Sequence, residues 1–315
     1  MAANGRGLIS ASEFDKLFES LKNWNRWGKD DEKGTLNYIT PEAVAAAAAL
    51  VKTGRSVSMS IPIDKVAGPD NAHPAIHYMA ATHDIDIGSV DQGFATDFLG
   101  MQFHGDCHTH LDALCHISYK GLLYNGVKAS EVNTTGANCL DVTAYAAGII
   151  GRGVLIDVPR YRGVKWLEPG DEVSADEIER IEEAQNTRLR EGDIMLFRTG
   201  QYLRRLEKGP WNVGDDGEGR AGLDPYAMTL LHERKVAAFL PEGDGETVPS
   251  RVEGQKSPIH VLQIAAMGML CADSLQLEEL AAACEEENRY ECLVAIAPLR
   301  LPRGTGCPFN PIAVF

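Results

Sequence analysis

"RGVLIDVP", residues 152–159, is an apolar run of strand length closed by a proline, too short to make a helix of its own. "DIMLFRTG" (193–200), "VAAFLP" (236–241) and "CLVAIAPLRL" (292–301) repeat the pattern. All are too continuously apolar to keep a solvated face, which predicts central strands. Helix signals lie between them. "SADEIERIEEAQNTRLREGD" (174–193) opens with Ser174 and Glu177 spaced as a capping box. "DPYAMTLLHERK" (224–235) and "SPIHVLQIAAMG" (257–268) begin on Asp224–Pro225 and Ser257–Pro258, and "LEELAAACEEEN" (277–288) reads as a late surface helix. Upstream, "TPEAVAAAAALVK" (40–52) offers Thr40 as N-cap before Pro41, and "SVSMSIPI" (56–63) alternates as a half-buried strand would. Strands interleaved with helices from residue 150 onward predict an α/β fold. With no internal repeat, low-complexity tract or linker, residues 1–315 read as a single domain. "GPWNVGDDGEGRAGLD" (209–224) is long and glycine-rich enough to form a lid or a disordered loop.

The chain has 315 residues, of which 44% are hydrophobic, enough to bury a substantial core. Its net charge of −15 argues against nucleic acid or an anionic membrane surface as partner. No run approaches the length of a membrane-spanning helix, and "MAANGRGLISASEFDKLFES" (1–20) lacks the apolar centre of a secretory signal. Seven cysteines without a CxxC pair suit free thiols in a reducing compartment. These readings predict a soluble, cytoplasmic protein.

The chemistry concentrates in "FHGDCHTHLDALCH" (103–116), which holds four of the chain's 9 histidines. On a helix, residues two apart point about 200° apart, so His110 and Asp112 could not share a ligand. On a strand, His104, Asp106, His108, His110 and Asp112 all project to one side, while Gly105, Cys107, Thr109, Leu111 and Ala113 face the other. Imidazole and carboxylate on one face are the donors expected around Zn, Mn or Fe(II). His116 follows where a turn could aim it back over such an ion, and a free imidazole there suits proton transfer. The plainer alternative is a polar strand whose histidines are solvated. A thiol nucleophile at Cys107 or Cys115 is a further alternative, although neither lies in a nucleophile motif.

One strand does not enclose an ion, so further donors are sought elsewhere. His260 sits near the start of the 257–268 helix, with Gln263 close by and Asp273 beyond. His73, His77 and His83 lie on the approach to the cluster, as a loop at the pocket mouth, and His232 reads as a surface helix residue. Arg198, or the His73–His83 loop, is a candidate to hold a substrate carboxylate, with a structural ion pair as the alternative for Arg198. Trp24 and Trp27 either line the pocket or anchor the N-terminal segment.

At "THLDALCH" (109–116) the sequence resembles the cyclase family of metal-dependent hydrolases, which includes bacterial kynurenine formamidases, isatin hydrolase and a trans-dienelactone hydrolase. The family signature, H-x-G-T-H-x-D-x-x-x-H, is matched by Thr109, His110, Asp112 and His116, while Asp106 stands at its first histidine and His108 at its glycine. "DDEKGTLNYITPE" (30–42), "GRGVLIDVPR" (151–160), "GDIMLFRTG" (192–200) and "GTGCPFNPIAVF" (304–315) extend the likeness over most of the chain. The resemblance implies His110 and Asp112 as metal ligands, His116 as catalytic acid/base and His260 as a distal ligand. The first ligand is then Asp106, or His104 two residues earlier. Asp273 stands near the family's distal glutamate, and its shorter side chain makes one divalent metal ion, Zn or Mn, the expectation. The family's fold is a swivelling β/β/α arrangement with a mixed central sheet, and its members are homodimers or larger.

The function expected from these residues is metal-dependent hydrolysis of a small cyclic amide, lactone or formamide. A metal-dependent cyclase or dehydratase acting on a polyketide-like substrate would need the same Lewis acid and base. A non-catalytic metal- or ligand-binding protein would need the ligands but not His116.

Overall fold

The computed structural model describes residues 7–84, 88 and 91–315; residues 1–6, part of the stretch read for a secretory signal, lie outside the described residues. Its centre is a mixed sheet of nine strands. In chain order these are β1 (Ser56–Ser58), β2 (His110–Asp112), β3 (Ile149–Asp157), β4 (Ile194–Arg198), β5 (Ala238–Pro241), β6 (Leu270–Asp273), β7 (Glu291–Ile296), β8 (Gly306–Pro308) and β9 (Ile312–Val314). They lie in the order β1-β9-β7-β3-β4-β5-β6-β2-β8. The four apolar strands β3 to β6 run parallel, and every flanking pair is antiparallel.

Three of the continuous apolar runs, in β3, β4 and β5, are buried on both faces, whereas the run at 292–301 forms β7, which ends at Ile296 and alternates buried with half-buried residues. Val154, Ile156, Met195, Phe197 and Phe239 pack against the helices on one side. Leu155, Leu196 and Leu240 join the core on the other, together with Leu111, Ala272 and the helix Glu278–Glu287. Parallel neighbours need crossovers, and the helices Ala175–Ala184, Ala227–Glu233 and Pro258–His260 with its continuation supply them. The α/β architecture with a mixed central sheet is therefore as expected.

Local details differ from the sequence reading for identifiable reasons. Ser174 caps its helix by accepting from the Glu177 N–H at 3.3 Å, but the Glu177 carboxylate turns to Arg162 at 2.8 Å instead of closing the box. The 56–63 strand stops at Ser58, where its ladder with β9 ends. The helix from Pro258 widens into a π-helical stretch over Val261–Ala266. Residues 209–224 are pinned rather than loose: Trp211 is buried and donates from Nε1 to the Gly219 carbonyl at 3.0 Å. The Arg204 guanidinium lies 4.3 Å from the Trp211 ring, and Gly222–Leu223 pairs with Glu172–Val173. Gly34 fastens the 30–42 segment to the turn before β6: its φ is +55°, and a Cβ there would lie 1.8 Å from the Gly268 carbonyl oxygen. Only glycine tolerates both the left-handed backbone and that approach.

Among the described residues, no helix is long and apolar enough to cross a membrane, and all seven cysteines are free. Leu111, wholly buried between two polar neighbours, anchors β2 to the core. Leu111→Ala is expected to cost about 2–5 kcal/mol of stability, seen as a lower denaturation midpoint in urea with an unchanged slope.

Candidate metal centre

The antiparallel ladder between β2 and β6 decides which side chains meet. Asp112 lies opposite Cys271, and His110 lies opposite Asp273. Cross-strand partners share a face, so these four side chains project together while Leu111 and Ala272 point into the core. Asp273 stands at the carboxyl end of β6, beside the segment that follows β5, where open parallel sheets commonly place a site. Thr109 clamps the entry to β2, its hydroxyl accepting from the Ile61 N–H at 2.8 Å and donating to the Ser274 carbonyl at 2.6 Å.

The imidazoles are aimed by their second nitrogens. His110 Nδ1 lies 2.8 Å from the His108 carbonyl, which can only accept, so Nδ1 carries the proton. The bare Nε2 is left 3.6 Å from Asp112 Oδ1 and 3.8 Å from Asp273 Oδ2. His260 is held by Glu246, whose carboxylate accepts from the His260 N–H at 2.8 Å, its Nδ1 at 2.9 Å and the Ile259 N–H at 3.1 Å. His260 Nε2 then lies 3.0 Å from Asp273 Oδ2 and 3.9 Å from Asp112 Oδ2. His104 brings Nδ1 to 2.9 Å from Asp112 Oδ1 and sets Nε2 3.0 Å from the Thr305 hydroxyl. His116, turned back after β2, places Nε2 3.7 Å from Asp112 Oδ2, and its ring stacks on His104 at 4.0 Å between centroids, 1° from parallel.

At the convergence sits Asp112, whose side chain is 0% exposed; His104 Nδ1 lies against its Oδ1, and its Oδ2 has no hydrogen-bond partner. Burial works to protonate it, but the neighbouring imidazoles of His104, His116 and His110 outweigh burial and hold the carboxyl well below its usual range. For His260, burial disfavours the charged ring, yet Asp273 and Cys271 hold it well above the ordinary imidazole range. His116 goes the other way. Burial, then the His104, His260 and His110 rings, push it down to about 4 against the pull of Asp112, leaving a neutral base.

Two sets of donor atoms gather within 4.8 Å of one another and share Asp112: His104, His110 and Asp112, and Asp112, His260, Cys271 and Asp273. Buried charge without a donor calls for a cation, and imidazole with carboxylate is a donor mix that Zn and Mn accept. The residues present therefore fit a divalent ion.

The long strand expected over 104–112 is only three residues, because its ladder partners β6 and β8 reach no further than His110. His104 nevertheless arrives, carried by irregular chain. Asp106 does not: it pairs with Arg220, which also holds Asp244 at 2.6 Å. His108 is buried with both ring nitrogens unpartnered, outside either donor set. Arg198 is committed to Asp157 at 2.7 Å and Glu278 at 2.6 Å, so it is a structural ion-pair partner. His77 pairs with Asp97 at 2.9 Å on a surface ribbon, where His73 and His83 are also exposed. His232 is half-buried against Asn23, not a free surface residue. Trp24 donates to the Ala265 carbonyl at 2.8 Å and Trp27 packs on Tyr38, both anchoring the N-terminal segment. Burial pushes the Cys107 and Cys115 thiols up to about 12, which removes them as nucleophiles.

Sequence reasoning missed Glu246 and Cys271. Nothing in "PEGDGETVP" separates the Glu246 side chain from its acidic neighbours. Cys271 carried a usable signal, since it lies two residues before Asp273 and so shares its strand face.

Compared with known proteins, the chain matches the cyclase family model, described as "Putative cyclase", over residues 57–243. The crystal structure of a novel cyclase shares 31% identity with a TM-score of 0.82, covering 94% of this chain and 100% of that one. Isatin hydrolase A from Ralstonia solanacearum is 20% identical with a TM-score of 0.59, over 88% of this chain and 98% of that one. An isatin hydrolase bound to the product analogue thioisatinate is 19% identical with a TM-score of 0.57, over 87% and 98%. The last two likenesses bear on the fold alone. A search of curated proteins finds no match.

Glu246 orients a candidate ligand through three hydrogen bonds. Glu246→Gln is therefore expected to weaken divalent-metal affinity by about 10–100-fold, measured by competition with a chromophoric chelator.

Proposed function

The chain belongs to the cyclase family, and on that premise we propose that it is a metal-dependent hydrolase of a small cyclic amide, lactone or formamide. The observation that carries this reading is the buried Asp112 carboxylate, approached by four imidazoles within 3.9 Å and with its Oδ2 unpartnered. We assign one divalent ion, Zn or Mn, to this carboxylate, its imidazole donors drawn from His104, His110 and His260; Asp106 is left to Arg220. When bound, such an ion supplies Lewis acidity toward a carbonyl oxygen and makes water a nucleophile near neutral pH.

The protein's own contribution is proton handling and positioning. His116 Nε2 accepts a proton from the attacking water as its oxygen bonds to the carbonyl carbon. The carbon–nitrogen or carbon–oxygen bond then breaks, and the same nitrogen returns the proton to the leaving atom. The parallel His104 ring holds the His116 plane, so a single orientation serves both transfers. The isatin hydrolases of the same fold make cyclic amides the first substrates to try.

The free cysteines support a reducing, cytoplasmic setting. A homo-oligomer, dimer or larger, draws support from the two-stranded ribbon Ile76–Ala81 and Thr96–Gly100, which stands outside the main sheet and exposes Ile76, Tyr78, Met79, Phe98 and Leu99. Replacing Tyr78 and Phe98 with aspartate is expected to give monomers in light scattering; an unchanged mass would remove that support.

A second reading, cyclisation or dehydration without net hydrolysis, is favoured by the 31%-identical relative being a cyclase. The mass of a converted substrate separates the two, because hydrolysis alone adds one water. For either enzyme, His116→Ala is expected to keep its metal, by elemental mass spectrometry, and to lose about 10²–10⁴-fold in kcat. Retained turnover in that variant would leave a binding protein as the better reading.

A further inference from the structure

We propose that Cys271 is a metal ligand, so that the ion assigned above is bound by the inner donor set through a thiolate as well as Asp112, Asp273 and His260. This inference rests on the reading of the site as a metal centre and makes that reading chemically specific. The ladder pairs Cys271 directly with Asp112 and sets Asp273 two residues on, so three donors share one sheet face without any loop to position them. His260 closes the set from the helical segment above. Cys271 Sγ lies 3.3 Å from Asp273 Oδ1 and 3.9 Å from His260 Nε2, inside the cluster rather than behind it. All four residues are buried.

The second, independent observation is the state of Asp112. Its Oδ2 is wholly buried and unpartnered, so the carboxylate that both donor sets share is aimed at a position where a cation would satisfy it. Of the two sets, the inner one supplies four donors and the outer one three. One sulfur, one imidazole nitrogen and two carboxylate oxygens form a four-donor set suited to tetrahedral Zn. Mn and Mg favour oxygen-rich, higher-coordinate surroundings, so the thiolate selects Zn over Mn. As the ion binds, the S–H bond breaks, the sulfur–metal bond forms and the proton leaves to solvent, with no change in oxidation state.

Cobalt(II) is the probe, because a thiolate ligand gives it a near-ultraviolet sulfur-to-metal charge-transfer band, while its d–d bands report binding with or without sulfur. Full-length protein stripped of metal and reloaded with cobalt is expected to show both. Cys271→Ser is expected to lose the charge-transfer band and keep the d–d bands, and Cys139→Ser, at a half-buried thiol outside the cluster, is expected to keep both. Wild-type protein with d–d bands and no charge-transfer band would overturn the thiolate and leave the metal centre standing. A band that survives Cys271→Ser would overturn it equally. Protein that takes up no cobalt, by elemental analysis, would sink the metal centre and the thiolate with it. If the serine variant fails to fold, the wild-type spectrum still tests the thiolate, because among the described residues no other cysteine belongs to either donor set.

Discussion

A carboxylate that the fold withdraws from water and surrounds with imidazoles is the constraint from which the rest of this structure follows. Burying a lone charge costs several kcal/mol even after relaxation, and Asp112 has its side chain wholly covered with Oδ2 unpartnered. The fold does not offset that cost with an arginine: Arg220 and Arg198, both well buried, pair with other carboxylates instead. It surrounds Asp112 with imidazoles, which can hold a proton, a metal or neither. That choice makes the centre a device for positive charge that comes and goes, whereas a guanidinium would have made it permanently neutral.

The architecture around the centre holds two of those imidazoles back from ordinary hydrogen bonds to the carboxylate. His110 is restrained through Nδ1 by a backbone carbonyl and His260 by the Glu246 carboxylate. Glu246 also accepts the first N–H groups of the helical segment that carries His260, so one buried carboxylate fixes both the element and the ring on it. The π-helical widening that follows belongs to the same solution, because such bulges recur where a helix must present a functional side chain. Thr109 does the equivalent work for β2 by tying its entry to the Ile61 and Ser274 backbone. Strand, helix and loop thus each reach the centre with a separate restraint.

Much of this was legible in the residues. Three of the central strands, β3, β4 and β5, were readable because burial on both faces forces a continuous apolar run; the run at 292–301 instead became β7, which alternates buried and half-buried residues, and β6 was not read as a strand. His110, Asp112, His116 and His260 were reachable from the crowded histidines and from the family likeness they carry. What failed was the extrapolation of strand alternation from β2 back to residue 104, since a strand lasts only as long as its neighbours, and β6 and β8 end level with His110. No local pattern encodes the length of a distant partner. Glu246 was hidden for the same reason: its role comes from helix N–H groups that tertiary folding delivers to it. Arg198 was undecidable in sequence because a guanidinium next to an apolar strand serves a substrate or a carboxylate equally well, and only Asp157 and Glu278 settle it.

The position of Asp106 shows how the centre keeps its imidazoles despite a carboxylate at the signature's first histidine. An aspartate delivered to Asp112 would put a third carboxylate beside Asp112 and Asp273, and like charges at that range destabilise one another strongly in a buried setting. Here Asp106 is drawn off by Arg220, which also neutralises Asp244, so its charge is spent in a separate ion-pair network. The irregular chain between residues 101 and 109, free of any ladder, is what allows this: it lets Asp106 turn away while His104 turns in. His104 then meets Asp112 through Nδ1 and stacks on His116, bringing an imidazole to the centre from a position two residues earlier. The loss of the regular strand and the recovery of the donor are one event, since a strand long enough to satisfy the alternation would have pointed Asp106 and His104 to the same face and forced both toward the carboxylate.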